Sequence, residues 1–319
     1  MKRKKTALIF GVSGQDGAYL SKFLLDKGYH IIGTTRNNSK KNLFRLIRLN
    51  IIKKIKIFKG EATNINFCNK IINNKINEIY YLAGDSSVVC SFEHPENSLQ
   101  SNATGFLNVL NLVKNKHKKI KIFNAASGQF YGNNRKNLYS LKSNIDPQSP
   151  YGVAKAVGFW FTKIFREKYN IYCCSGVLFN HESPLRSDAF VTKKIINHCH
   201  LIKKRKVKYL YMGDINISRD WGWAPEYVEA MYLMLRQKNP KDLVIGSGKR
   251  HSLKSFIFEA FRLLKIPKNR LKANTKKFMR RNDIRSYRSD PRLAKKILDW
   301  KAKTSFKQII RKMICDELF

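Results

Sequence analysis

Tyr151 and Lys155 stand four residues apart in the stretch Ser149-Pro150-Tyr151-Gly152-Val153-Ala154-Lys155. On a helix that spacing puts both side chains on one face. A nearby ammonium favours the phenolate, so the pair predicts a tyrosine of lowered pKa that takes a proton from a sugar hydroxyl. Upstream, a strand from Ile120 ends in Asn124-Ala125-Ala126-Ser127, which places Ser127 at a sheet's carboxyl edge, within reach of the same hydroxyl. Near the chain start, Gly11-Val12-Ser13-Gly14-Gln15-Asp16-Gly17 follows a short apolar run and opens a helix. Glycines there permit positive φ and let the backbone approach a pyrophosphate, which then rests on the helix N-terminus. A serine, tyrosine and lysine behind a dinucleotide turn form a hydride-transfer site. Thr34-Thr35-Arg36 ends the second strand-like run with a cation where NAD-binding chains carry an acid, so Arg36 favours NADP.

These residues need a scaffold that brings strand ends together. Apolar runs at Thr6–Phe10, His30–Gly33, Ile55–Phe58, Glu78–Leu82, Ile120–Asn124 and Tyr172–Phe179 read as strands. Helical patterns fall between most of them, from Ala18 onward and over Phe67–Ile72, Ser98–Val113 and Tyr151–Lys168. Strands alternating with helices predict an α/β fold with a doubly wound parallel (Rossmann) sheet. Beyond residue 180 the alternation becomes irregular, with helices near 190–203, 225–236, 252–264 and 304–317. We read 1–178 as the NADP-binding domain and 179–319 as a smaller mixed α/β substrate lobe, with 222–248 returning to the sheet. A ligand is expected in the cleft between them.

The chain of 319 residues, 43% of them hydrophobic, has material for a large core, which excludes a disordered chain or a small disulfide scaffold. It contains no apolar run long enough to span a bilayer. Its net charge of +41 comes from lysines spread along the whole length rather than gathered on one arm, so it is read as compositional drift and nucleic acid is not the expected partner. A surface this positive still attracts small anionic substrates. Six cysteines without a CxxC pair predict reduced thiols and a cytoplasmic location. His198-Cys199-His200 points three ways on a helix, and no metal site is expected. The run Lys203-Lys204-Arg205-Lys206 reads as a solvated loop.

The motifs together resemble an extended short-chain dehydrogenase/reductase and, within that group, the GDP-mannose 4,6-dehydratase family. The resemblance runs over nearly the whole chain. It is carried by the glycine turn, Tyr81-Leu82-Ala83-Gly84, Ser91-Phe92-Glu93-His94-Pro95-Glu96, SPYGVAK, Leu178 to Arg186, Phe190-Val191-Thr192-Lys193, Arg219-Asp220-Trp221-Gly222 and the segment Asp290 to Trp300. It implies that Gly11, Ser13, Gly14, Gln15, Asp16, Gly17, Arg36, Glu61, Ala62, Leu82, Ala83, Gly84, Asp85 and Ser86 surround NADP, with Lys155, His181 and Arg186 on its nicotinamide side or phosphates. It implies that Asn180, Lys193, Arg219, Arg280 and Asp283 hold a GDP-sugar. The reaction so implied oxidises C4 of the sugar, eliminates water across C5 and C6, and returns the hydride to C6.

Three positions depart from the family pattern, of which Gly84, after Leu-Ala, and Asn97, where the family often has an aromatic, matter less than the third. Two residues after the catalytic serine the family places a glutamate, the base for elimination; here it is Gln129. An amide cannot accept the C5 proton. Glu93, Glu182 or an activated water are the expected substitutes if the chain is a dehydratase. Without one, a GDP-sugar 4-epimerase, a 4-keto reductase or a non-catalytic basic binding protein is the alternative. The basic segment Arg36 to Arg48 is long for a turn, and in the resembling family this region helps subunits meet, so a homodimer or homotetramer is expected.

Overall fold

The computed structural model describes residues 4–133, 138–276 and 284–319. Arg280 and Asp283 therefore lie outside the described residues. Seven strands form one parallel sheet: β1 (Thr6–Phe10), β2 (His30–Thr35), β3 (Ile55–Lys59), β4 (Glu78–Tyr81), β5 (Lys121–Ser127), β6 (Cys173–Leu178) and β7 (Leu243–Ile245). Their order is β7-β6-β5-β4-β1-β2-β3, and every neighbouring pair is parallel. This is the doubly wound sheet, with strand order reversing at β1, between β2 and β4. The crevice at that reversal opens at the carboxyl ends of the strands.

The strands are apolar because both faces are covered. Along β1, Ala7 and Ile9 enter the core layer that holds helices α1 (Gln15–Asp26) and Ala224–Met234, while Leu8 and Phe10 enter the layer under helices Ile65–Ile71 and Gly105–Lys116. The same alternation sends Cys174 to the first layer and Cys173 to the second, so the two thiols face opposite ways. A separate core gathers Ile195, Ile196, Phe256, Ile257, Ile309 and Ile310 from three helices of the later chain, Val191–Lys203, Leu253–Leu264 and Phe306–Ile314.

Several local signals set these boundaries. Ser149 Oγ accepts from Gly152 N at 3.1 Å and Pro150 occupies the first turn of the helix Pro150–Tyr169, while Asn170 closes it in the left-handed conformation. The expected helix over Ser98–Val113 is instead broken: Pro95–Leu99 runs into a π turn at Gln100–Thr104 before Gly105–Lys116. Three short helices carry no strong periodic signal and were not expected, at Phe44–Arg48, Val88–Glu93 and Arg292–Leu298. No helix among the described residues is long and apolar enough to cross a membrane.

Candidate active site

The glycine turn is shaped by close backbone contacts. Gly11 has φ +85°, and a Cβ there would lie 2.9 Å from Ala83 N and from Leu82 O. A Cβ on Gly17 would lie 2.3 Å from Gly11 O, so α1 packs directly on the turn it leaves. Gly14, the N-cap of α1, brings no capping side chain, which leaves the first N–H groups for an anion. Ser13 Oγ meets Thr35 Oγ1 at 3.0 Å, and Asn42 Nδ2 donates to both. Arg45 reaches across from the helix Phe44–Arg48, donating through Nη1 to Ser13 O at 3.0 Å and through Nε to Leu185 O at 2.7 Å.

The other expected cofactor residues of the first four strands follow those strands in sequence. Arg36 is exposed one residue after β2; Glu61 is exposed and Ala62 buried just after β3. Leu82 to Asp85 are half-buried after β4, and Ser86 is exposed. Gly84, at φ +141°, faces Asn102, whose Oδ1 would sit 2.0 Å from a Cβ there and has no hydrogen-bond partner. Asn102 Nδ2 donates to Asp85 O at 3.1 Å. A cradle without side chains, an uncapped helix start and an orphaned buried amide oxygen fit a dinucleotide at this edge.

Ser127 is the last residue of β5, and its Oγ accepts from Gln129 N at 3.3 Å. Tyr151 and Lys155 are buried in the first two turns of their helix. Lys155 Nζ donates to Ala125 O at 2.8 Å and lies 5.7 Å from the Tyr151 ring centre. Burial pushes the Tyr151 phenol up, with the Ser127 hydrogen bond opposing, and brings the Lys155 ammonium down to about 8. This corrects the expectation of a lowered tyrosine pKa: in the protein alone desolvation outweighs the neighbouring charges.

His181, in the strand Asn180–Glu182, joins the later chain to α1. Its Nε2 lies 2.9 Å from Asp16 Oδ2, its Nδ1 lies 2.7 Å from Phe179 O, and its ring stacks on Tyr227 at 4.4 Å. Burial alone would raise the Asp16 carboxyl, but the charge and hydrogen bond of His181, with Gln15 and Arg186 adding to them, hold it at about 2. Burial likewise depresses His181, and Asp16 more than reverses it, so the imidazole sits above its ordinary value. Gln15 is fixed from the same side, accepting from Ser183 Oγ at 2.8 Å and donating to His181 O at 3.2 Å. The guanidinium of Arg186 lies over the Phe190 ring at 3.7 Å, with Nε 3.5 Å from Glu182 Oε2.

Among the expected substrate residues, Asn180 and Arg219 come together with Gln129 around one residue that the sequence reading missed, Tyr287. Gln129 Nε2 donates to Tyr287 Oη at 2.8 Å, and Tyr287 Oη donates to Asn180 Oδ1. The Arg219 guanidinium lies 5.2 Å from the Tyr287 ring centre. Beside it, buried Asp220 accepts from the backbone N–H of Ser247, Gly248 and Ser289 and from the hydroxyls of both serines, tying three segments into one wall. Lys193 is half-buried, its ammonium lowered by burial against the attraction of Asp316 and Asp188.

The two carboxylates proposed to replace the missing base have other surroundings. Glu182 is buried and its Oε2 accepts from Thr192 Oγ1 at 2.6 Å; Glu93 is exposed at the end of the helix Val88–Glu93. Cys199 is buried in the later core, and no group of three metal-ligating side chains occurs among the described residues. Asn102 and Arg45 also escaped the sequence reading. A π turn, common at functional sites, would have been the signal for Asn102, but no residue pattern announces it.

Comparison with known proteins shows the family of the chain. The family description GDP-mannose 4,6 dehydratase matches residues 8–313. GDP-mannose 4,6 dehydratase of Dictyostelium discoideum is 34% identical over 347 residues, covering 99% of this chain and 97% of the relative. GDP-mannose 4,6 dehydratase 1 of Arabidopsis thaliana is 35% identical, covering 100% and 91%. Among solved structures, a UDP-glucose 4-epimerase of Thermotoga maritima with UDP-glucose superposes with a TM-score of 0.86 over 98% of both chains at 19% identity, a likeness of fold. With a matching family description over most of its length and relatives above 30% identity end to end, the chain is an enzyme of the GDP-mannose 4,6-dehydratase family.

Proposed function

We propose that the chain takes GDP-mannose, retains NADP, and forms GDP-4-keto-6-deoxymannose. The observation that carries this reading is the placement of Ser127, Tyr151 and Lys155 at the carboxyl end of β5, in the same sheet edge as the glycine turn and the Leu82–Ser86 segment. Family membership supplies the substrate. Gly11, Ser13, Gly14, Gln15 and Gly17 would receive the pyrophosphate, and Arg36, exposed right after β2, would meet a 2′-phosphate with its fork. Lys155, His181 and Arg186 would face the nicotinamide side. When bound, the cofactor supplies a hydride acceptor for C4 and a hydride donor for C6.

The chain's own groups do the rest. Tyr151 Oη, as the phenolate, takes the proton of the C4 hydroxyl, which Ser127 Oγ orients; the positive charge that bound NADP+ would bring beside it opposes the desolvation that raises the phenol in the protein alone. Lys155, brought to about 8 by burial, exchanges a proton near neutral pH and sets the charge beside the phenol. Asn180, Lys193, Arg219, Arg280 and Asp283 would hold the GDP-sugar, the cations among them at the diphosphate. At position 129 the elimination step finds an amide already bonded to a phenol, so a water would take the C5 proton in place of a carboxylate and return a proton to the C6 hydroxyl, which leaves as water.

That observation favours a second reading without elimination, in which the site oxidises and re-reduces C4 as a GDP-sugar 4-epimerase, or reduces a GDP-4-keto sugar with NADPH as a 4-keto reductase. NMR of GDP-mannose after incubation with protein and NADP+ separates the two. A new C6 methyl signal supports the dehydratase, and a sugar nucleotide inverted at C4 supports the second reading. A GDP-mannose spectrum that never changes contradicts the dehydratase and the epimerase, and consumption of NADPH with a GDP-4-keto sugar then tests the reductase.

We further infer a homo-oligomer and a cytoplasmic location. Phe92, Leu99, Val153, Trp160 and Ile164 are exposed on neighbouring helices, an apolar face that suits a second copy. The segment after Arg36 is used within its own chain, through Arg45 and an Arg48–Asp316 ion pair of 2.5 Å. A monomer mass by light scattering at micromolar concentration would contradict the oligomer.

A further inference from the structure

Two amides of the sugar side are joined through one buried phenol. Tyr287 is 2% exposed, with its ring against Phe179 at 5.1 Å and Tyr139 at 6.3 Å. Its hydroxyl has one proton, and that proton goes to Asn180 Oδ1. The oxygen must therefore accept from the other side, and the group it accepts from is Gln129 Nε2. Direction is coupled along the whole chain: with Asn180 presenting its oxygen to Tyr287, Gln129 presents its nitrogen. The outer ends turn with it. Gln129 Oε1 and Asn180 Nδ2 make no hydrogen bond with the described residues, and both side chains are only half-buried.

We propose that Tyr287 is a positioning residue of the sugar subsite, which through its hydroxyl turns the carbonyl of Gln129 and the NH2 of Asn180 toward the substrate. The subsite then offers an acceptor for a sugar hydroxyl at Gln129, two residues from Ser127, and a donor for a sugar or phosphate oxygen at Asn180. All three linked groups are neutral, so they select by hydrogen-bond direction rather than charge. A phenylalanine at 287 keeps the ring and its packing but removes the lock. Each amide is then free to turn its wrong end to the substrate, and the bound sugar loses part of two hydrogen bonds.

This inference rests on the proposed GDP-sugar reading, and its test separates the two. Titration calorimetry with NADP+ present would compare GDP-mannose and GDP as ligands of the wild type and of Tyr287→Phe. Loss of one to two hydrogen bonds of ordinary net strength predicts roughly tenfold weaker GDP-mannose binding by the variant. GDP, which has no sugar to read, is expected to bind both proteins within about twofold. Equal weakening of both ligands would mean that Tyr287 only supports the fold, and no weakening of either would mean that the lock is idle; each result overturns the inference alone. A wild type that binds neither ligand overturns the GDP-sugar reading together with it.

Discussion

Replacing Gln129 by glutamate is expected to speed the loss of water from GDP-mannose. A positioned general base contributes typically 10²–10⁴-fold. The structure argues for the lower part of that range. A carboxylate at 129 cannot donate to Tyr287, so the phenol would turn and donate to it, and the Arg219 guanidinium lies only 5.2 Å from that ring centre. Both influences favour the charged carboxylate and lower its basicity. A drop of about one pKa unit removes up to about tenfold, since one unit corresponds to ~1.4 kcal/mol. The net expectation is a gain of roughly 10–10³-fold. Dehydrated product would be followed by mass spectrometry at saturating substrate, with GDP-mannose affinity and melting temperature measured on the same preparation. A variant that binds and melts like the wild type yet loses water no faster would refute the assignment of position 129.

Tyr151→Phe, which keeps the ring and removes the acid–base group, should slow C4 oxidation by about 10²–10⁴-fold, read as nicotinamide absorbance in stopped flow, with an unchanged melting temperature. Asp16→Asn should show a pH signature. The raised pKa of His181 stabilises the fold below its ordinary 6.5 and is lost as pH rises through the raised value, while the lowered pKa of Asp16 stabilises it above 3.8 and is lost as pH falls through about 2. The melting difference from wild type is therefore expected to be largest between about pH 4 and 6.5 and to shrink at higher pH; a flat difference would contradict the pairing. Asp220→Ala strands donors from Ser247, Gly248 and Ser289, and should cost about 3 kcal/mol, or roughly 4–5 °C for a chain of this length, in thermal unfolding.

The parallel sheet was legible because both of its faces are covered, so β1, β4 and β6 stand out as apolar runs bounded by polar residues. Ser127, Tyr151 and Lys155 could be placed for the same reason, from a strand end and a helical spacing. What could not be read was anything set by burial or by distant partners. Tyr151 was expected to have a lowered pKa, yet desolvation raises it, and desolvation has no signature in the three residues that separate Tyr151 from Lys155. Tyr287 lies in a polar stretch that marks neither strand nor motif. Its role depends on Gln129 and Asn180, which are 158 and 107 residues away in the chain. The helix Phe44–Arg48 is too short for a periodic pattern, so Arg45 could not be foreseen as the link between Ser13 and Leu185.

The central claim is that hydride leaves C4 of a GDP-sugar and returns at C6 after water is lost. GDP-mannose carrying deuterium at C4, incubated with the protein and unlabelled NADP+, tests it in one mass spectrum. The account predicts a product lighter by one water with the deuterium now in its C6 methyl group. A sugar nucleotide that keeps both its water and its deuterium at C4 would contradict it.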